Sequence, residues 1–349
     1  MSSSEHSAAD AAAMRRALEL AARGPAADPN PRVGCVIVGR DGTVVGEGWH
    51  RGAGTAHAEV DALARAGEAA RGGTAYVTLE PCNHTGRTQP CASALYAAGL
   101  ARVVHAQSDP NPRAAGGADV LREHGVEVSG GLLAEEAEEL NRTWTHLMAT
   151  GRPWVTWKLA ASLDGRSAAA DGTSQWITGE AARADAHRLR AESGAVLIGT
   201  GTALIDDPRL TARQPDGTPY PRQPIRVVMG ERDLPAGARV LDDAAPTWHL
   251  RTRDPKAVLA ALAQAEVHRV WLEGGPTLAG AFLAAGLVDE VVAYVAPVFL
   301  GRGRQAMTDI GITTMAEALR LHPSDITVLG EDVRFTATLA PRHTDSEEH

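Results

Sequence analysis

Lysine is almost missing from this chain of 349 residues: Lys158 and Lys256 are its only two, and arginine carries nearly all of the positive charge. The skew is compositional and points to no function. Positive charge is not in excess either. A formal net charge of −9 has the wrong sign for a protein that pairs with nucleic-acid phosphates through a basic face, so no nucleic acid is expected as a partner. No apolar run nears the ~20 residues that a membrane-crossing helix needs, so no membrane is expected either. The amino terminus, Met1 to His6, has neither the basic nor the apolar stretch of a secretory signal, which favours a cytoplasmic location. Three cysteines are too few, and odd in number, for a disulfide framework. Cys35 falls in the apolar run Val33 to Val38 and reads as a small core residue. Cys82 and Cys91 remain, spaced as metal ligands.

The rest of the composition, 44% hydrophobic and 22% charged, is that of a globular protein. The chain is long for one core and comfortable for two. Strand-like and helix-like stretches alternate in both halves, the pattern of layered α/β domains. Up to residue 150 the periodicity predicts helices over 8–23, 57–70, 89–98 and 132–148, a hairpin from 33–38 and 43–48, strands at 74–79 and 102–107, and a further pair of elements at 117–128. Beyond it come strands at 154–160, 195–199, 225–229, 268–272 and 289–295 and helices at 180–191, 255–265 and 276–285, with parallel character. Ala149-Thr150-Gly151-Arg152-Pro153 is the candidate linker, dividing the chain into domains 1–150 and 151–349. His343 to His349 reads as a solvated tail.

The densest chemistry lies between residues 57 and 91. His57-Ala58-Glu59, Pro81-Cys82 and Pro90-Cys91 offer one imidazole and two thiolates, three of the four ligands of a tetrahedral zinc, and leave a position for water. Glu59 is near enough to shuttle protons without being a ligand. This is the zinc-deaminase signature, in which an activated water displaces an amino group from a ring carbon. One feature departs from it: eight residues, Asn83 to Pro90, separate the cysteines where the usual signature has two. A closed structural zinc would need a fourth protein ligand, which His84 or His50 could supply.

The segment Pro81 to Cys91, with Asn30-Pro31-x-Val33-Gly34-Cys35, Gly46-x-Gly48-x-His50 and Asp109-Pro110-Asn111-Pro112, closely resembles the deaminase domain of the bifunctional riboflavin-biosynthesis deaminase/reductase family. The resemblance implies zinc held by His57, Cys82 and Cys91, with Glu59 as the catalytic proton shuttle. It also implies a pocket for a pyrimidine ribosyl phosphate lined by Asn30, His50, His84, Arg87 and Asn111. Arg87 would suit the phosphate by charge.

The second half has no Gly-x-Gly-x-x-Gly after its first strand, so a Rossmann site is not indicated. Its motifs, Lys158 to Gly165, Ser174 to Gly179, His187 to Arg190, Gly199 to Thr202, Asp206 to Arg213 and Glu273 to Leu278, resemble in order the reductase domain of the same family. The implied fold class is α/β, an N-terminal cytidine-deaminase-like three-layer domain followed by a C-terminal dihydrofolate-reductase-like domain. The implied cofactors are Zn2+ and NADPH. By position, Ala160, Trp176, Thr202, Asp206, Gly275, Pro276 and Thr277 would contact NADPH, and Ser174, Arg190, Leu210, Arg213 and Glu273 the substrate. Arg190 and Arg213 suit a phosphate. Gly301-Arg302-Gly303-Arg304 is more basic than the family pattern, and no role follows for it from the sequence.

The implied activity is deamination of 2,5-diamino-6-(5-phosphoribosylamino)pyrimidin-4-one, then reduction of the ribosyl group of the aminouracil product to ribityl. A related pyrimidine or pteridine metabolite is the alternative substrate. Self-association is common among two-domain enzymes of this kind. A polynucleotide deaminase shares the zinc chemistry, but the cysteine spacing, acidic charge and second domain oppose it. A non-catalytic zinc scaffold has no need of Glu59.

Overall fold

The computed structural model describes residues 6–84 and 89–339, and the chain divides into two compact units, Met1–Gly151 and Arg152–His349. Unit 1 runs α1 (Ala8–Ala21), β1 (Gly34–Val38), β2 (Val44–Trp49), α2 (Ala58–Ala66), β3 (Thr74–Leu79), α3 (Cys91–Ala97), β4 (Arg102–Gln107), α4 (Gly117–Glu123), β5 (Glu127–Gly130), α5 (Ala134–Leu140) and α6 (Arg142–Thr150). Its sheet has the order β2-β1-β3-β4-β5, antiparallel around β1 and parallel from β3 to β5.

Strand β1 is apolar at nearly every position because both of its faces are covered. Cys35 and Ile37 pack with Ala58, Ala62, Ala92 and Leu95 of α2 and α3, while Val36 packs with Met14, Ala17 and Leu20 of α1. The result is three layers. Helix α2 lies flush on β2 because that strand has the Gly46-x-Gly48 pair. A Cβ would stand 2.4 Å from the Ala62 carbonyl oxygen at Gly46, and 2.3 Å from that of Ala58 at Gly48. These glycines therefore set the depth of the helix whose first turn carries His57 and Glu59.

The expected helix over 132–148 is two helices broken at Asn141. The break is tertiary in origin: the Asn141 side chain accepts the Arg32 N–H (2.8 Å) and donates to the Arg32 carbonyl (2.9 Å). The helix expected over 57–70 ends its α-turns at Ala66, because Gly67 adopts a positive φ of 52° and a 3-10 turn follows.

Unit 2 runs β6 (Trp154–Ser162), β7 (Arg166–Ala168), α7 (Glu180–Ala191), β8 (Ala195–Gly199), α8 (Thr200–Asp206), β9 (Ile225–Met229), β10 (Thr247–Leu250), α9 (Pro255–Gln264), β11 (Arg269–Leu272), α10 (Pro276–Ala284), β12 (Glu290–Ala296), β13 (Arg304–Gln305), β14 (Leu321–Leu329) and β15 (Asp332–Leu339). Eight strands form one sheet, β10-β9-β8-β11-β6-β12-β15-β14, parallel from β10 to β12 and antiparallel at the C-terminal hairpin. That hairpin lies beyond the expected elements, since β14 is exposed along most of its length and shows little hydrophobic alternation. One face of the sheet packs on α9 and α10 through Leu259, Leu262 and Phe282, the other on α7 through Ala182 and Leu189.

Candidate active sites

In unit 1 three separate elements deliver the candidate metal ligands. His57 is the N-cap of α2, Cys82 follows β3, and Cys91 is the first residue of α3. Their ligand atoms all lie within 4.8 Å of one another. His57 Nδ1 is 3.2 Å from Cys91 Sγ and 3.6 Å from Cys82 Sγ. Zinc–nitrogen and zinc–sulfur bonds of about 2.0 and 2.3 Å at tetrahedral angles give an N···S edge of roughly 3.5 Å, so this donor set fits zinc. A hydrogen bond links the two sulfurs. A hydrogen bond from Cys91 and then one from His57 hold Cys82 down to about 4, while the same bond pushes Cys91 up. Metal binding displaces the proton of such a bond.

Glu59, in the first turn of α2, is 4% exposed and stands outside the ligand set. Burial, then the charge of Cys82, pushes its carboxyl up to about 7. His50 is buried with its ring 5.6 Å from that of His57. Its Nδ1 lies 3.0 Å from the Ala56 carbonyl and its Nε2 3.0 Å from Asn30 Nδ2. A carbonyl only accepts, so Nδ1 carries the proton and Nε2 accepts from the Asn30 amide, which leaves Asn30 Oδ1 for another donor. Burial lowers the His50 pKa and keeps the ring neutral.

Asn111 and His84 belong to a second wall. The Asn83 N–H bonds the Ala114 carbonyl (2.8 Å), which brings the loop after β4 to the cysteine loop. Asn111 starts that loop with its N–H on Asp109 (2.8 Å). Arg87 lies outside the described residues.

Glu80 carries no mark in the motifs, yet it builds this wall. Its carboxylate accepts the N–H groups of Asp109 (3.3 Å), Gly116 (3.1 Å) and Ala118 (3.1 Å), immediately before Pro81-Cys82. Glu80→Ala strands these donors. It is expected to lower stability by about 2 kcal/mol and raise the deaminase KM several-fold, with zinc content unchanged. A variant with wild-type melting and KM would show that the wall holds itself.

In unit 2 the candidate residues gather where parallel strands β8 and β11 end, the usual ligand side of such a sheet. Glu273, just past β11, is the hub. It takes both arms of Arg190 (2.8 and 2.8 Å) and the Trp271 indole N–H (2.6 Å). Lys158 lies beside Glu273 and Arg190, and burial lowers its pKa. His187 sits one turn before Arg190 on α7. Burial and then the charges of Arg190 and Arg213 push it down to about 4, so it is neutral and accepts the Arg213 N–H at Nδ1 (3.3 Å). Lys158, His187 and Trp271 thus join the expected set. Lys158 and His187 open two of the motifs that resemble the family, but Trp271 lies outside them.

The two expected phosphate-binding arginines divide. Arg190 is committed to Glu273, whereas Arg213 has no carboxylate partner among the described residues and so is the better placed for an anion. Leu210 is buried in a left-handed conformation (φ 55°) between them in sequence. Thr202 and Gly275 meet: a Cβ on Gly275 would stand 3.7 Å from Thr202 Oγ1, in the gap between two strand-to-helix turns. Pro276 and Thr277 open α10, Asp206 ends α8, and Ala160 lies on β6 opposite Tyr294 of β12. Backbone N–H groups at such paired turns fit the diphosphate of a dinucleotide. Ser174 and Trp176 belong to the loop before α7, where the Trp176 ring is 69% exposed with the Arg183 guanidinium 4.6 Å from its centre.

Each half of the chain resembles known proteins. Residues 7–107 match the cytidine and deoxycytidylate deaminase zinc-binding region, and residues 153–335 match the RibD C-terminal domain. The chain is 52% identical over 306 residues to the riboflavin biosynthesis protein RibD of Mycobacterium tuberculosis, covering 87% of this chain and 90% of that one. It is 45% identical over 355 residues to RibD of Escherichia coli, covering 92% and 96%. The solved structure of Acinetobacter baumannii RibD superposes with a TM-score of 0.88 at 42% identity, over 95% of this chain and 99% of that one. Both units are matched, in the same order and over nearly their whole length. The chain therefore belongs to the RibD family, the bifunctional enzymes of riboflavin biosynthesis in which a zinc-dependent deaminase precedes an NADPH-dependent reductase.

Proposed function

We propose that unit 1 removes ammonia from 2,5-diamino-6-(5-phosphoribosylamino)pyrimidin-4-one and that unit 2 reduces the ribosyl group of the resulting aminouracil to ribityl. The observation that carries this reading is the convergence of His57, Cys82 and Cys91 with a buried carboxyl, Glu59, that a structural metal site would not need. A protein of Thermotoga maritima described as a deaminase of the diamino pyrimidine and a reductase of the aminouracil supports the substrate assignment, at 31% identity and a TM-score of 0.86.

His57, Cys82 and Cys91 would hold the zinc, which when bound would lower the pKa of water from 15.7 to about 7. Glu59 takes the proton from the attacking water and returns it to the ring and to the departing amine. Asn30, oriented by neutral His50, presents its Oδ1 to ring N–H donors, and Asn111, in the loop that Asp109 holds, contributes from the second wall. In unit 2, Gly275, Pro276 and Thr277 with Thr202 hold the dinucleotide, whose nicotinamide supplies hydride. Arg213 binds the substrate phosphate. Glu273 keeps Arg190 in place, and its negative charge beside Lys158 opposes the burial that favours the neutral amine. A cytoplasmic location belongs to the same reading: no helix among the described residues is long and apolar enough to cross a membrane, and the three cysteines are unpaired.

The test supplies the diamino pyrimidine ribosyl phosphate to zinc-loaded protein, with and without NADPH, while ammonia and NADPH absorbance are followed. Ammonia is expected in both cases, and NADPH loss only after deamination. Chelation should stop ammonia release, and added zinc should restore it. A chelated protein that still deaminates, or a loaded one inert toward this substrate, would overturn the assignment.

A further inference from the structure

Gly301-Arg302-Gly303-Arg304 acquires a physical account in the folded chain. Gly301 turns the backbone in a left-handed conformation (φ 59°), and its N–H and that of Leu300 are held by the Asp164 carboxylate (2.7 and 3.1 Å). Gly303 then lies flush on β7: a Cβ there would stand 2.1 Å from the Ala168 carbonyl oxygen, which no side chain permits. That close approach determines where the next residue goes. Arg304 opens β13, paired with Ala168 of β7. Four residues later, Thr308 Oγ1 donates to the Pro276 carbonyl (3.2 Å), in the first turn of α10. On its other side Arg304 is within electrostatic reach of Asp206, the last residue of α8. The guanidinium is exposed and makes no salt bridge among the described residues. The backbone therefore carries a cation with no salt bridge among the described residues on a short strand that is tied to α10 four residues later through Thr308, within electrostatic reach of the end of α8.

We propose that Arg304 binds the diphosphate bridge of the dinucleotide coenzyme. The inference rests on the reductase reading of unit 2. A guanidinium meets phosphate oxygens with two parallel, charge-assisted hydrogen bonds. Asp206 attracts the same guanidinium toward α8 before coenzyme arrives, so less side-chain freedom is lost on binding. Because the group is exposed, the contribution is moderate: about tenfold in Kd, a difference of roughly 1.4 kcal/mol.

The test is fluorescence titration of the full chain with NADPH and with NADH, in the absence of substrate. Arg304→Ala should weaken both coenzymes about tenfold, Arg304→Lys should retain part of the affinity, and Arg302→Ala should bind as wild type. Raising the salt should narrow the gap between wild type and Arg304→Ala. In turnover, the KM for NADPH should rise with kcat unchanged, and ammonia release should stay the same. Unchanged coenzyme affinity in Arg304→Ala overturns the proposal. So does an equal loss in Arg302→Ala, which would mean general surface charge, or a loss confined to NADPH, which would place the guanidinium at the 2′-phosphate. Wild-type protein that binds neither coenzyme sinks the reductase reading itself, a result distinguishable from all of these.

Discussion

Replacing Glu59 by Gln should leave zinc bound one to one and slow ammonia release by about a thousandfold, while NADPH-dependent reduction of supplied aminouracil continues at the wild-type rate. The side chain is buried and lies outside the metal's donor set, so the swap keeps volume and polarity and removes only the ability to take and return a proton. General acid–base catalysis by one group is worth about 10²–10⁴-fold, so a thousandfold loss, about 4 kcal/mol of barrier, is the central expectation. Metal analysis beside the kinetics separates this from collapse of the site. Loss of zinc would make Glu59 a structural support of the ligands, and undiminished turnover would remove it from the reaction.

Glu273→Ala should act on the other unit. The carboxylate and Arg190 are 13% and 12% exposed, and Lys158 lies beside both. Removing the acid leaves Arg190 and the Trp271 indole N–H without their acceptor and takes away the negative charge beside Lys158. Breaking a buried pair from one side costs about 3–5 kcal/mol, far more than a surface pair returns. The reductase unit should therefore melt earlier by roughly 10 °C, and its turnover should fall by about two orders of magnitude, with ammonia release within about twofold of wild type. Glu273→Gln keeps one acceptor oxygen and should recover much of the melting temperature but little of the turnover. If Gln restores both, the charge of Glu273 has no part in reduction. If both variants also lose deamination, the two compact units are not independent in stability.

Much of unit 1 can be read directly from the chain because its chemistry is local. His57 and Glu59 are two residues apart on a helix start, and each cysteine stands at a helix or strand end, so spacing alone brings ligand types toward one edge. Apolar strands covered on both faces, such as Cys35 to Val38, announce themselves by composition, and the predicted strands at 74–79 and 102–107 form where they are expected. Elements with weak patterns do not. The exposed hairpin of β14 and β15 lacks alternation, and the break at Asn141 is invisible without Arg32, 109 residues away.

Unit 2 is less legible, since its site is assembled from partners far apart in sequence. Glu273 and Arg190 are 83 residues apart, and Lys158 belongs to another strand. Residue types alone suggest two arginines for a phosphate. Tertiary structure decides that Arg190 is consumed by Glu273 and that Arg213, supported by neutral His187, remains for an anion.

By itself, then, the sequence determined the metal and the family to which both halves belong, and it put forward Glu59 as the proton shuttle, because those depend on which donor types occur at short spacing. Only the folded chain decided which charges are paired, what Glu80 supports, and which strand Arg304 joins. Pairing depends on burial and on distances between strands, quantities that a linear spacing does not contain.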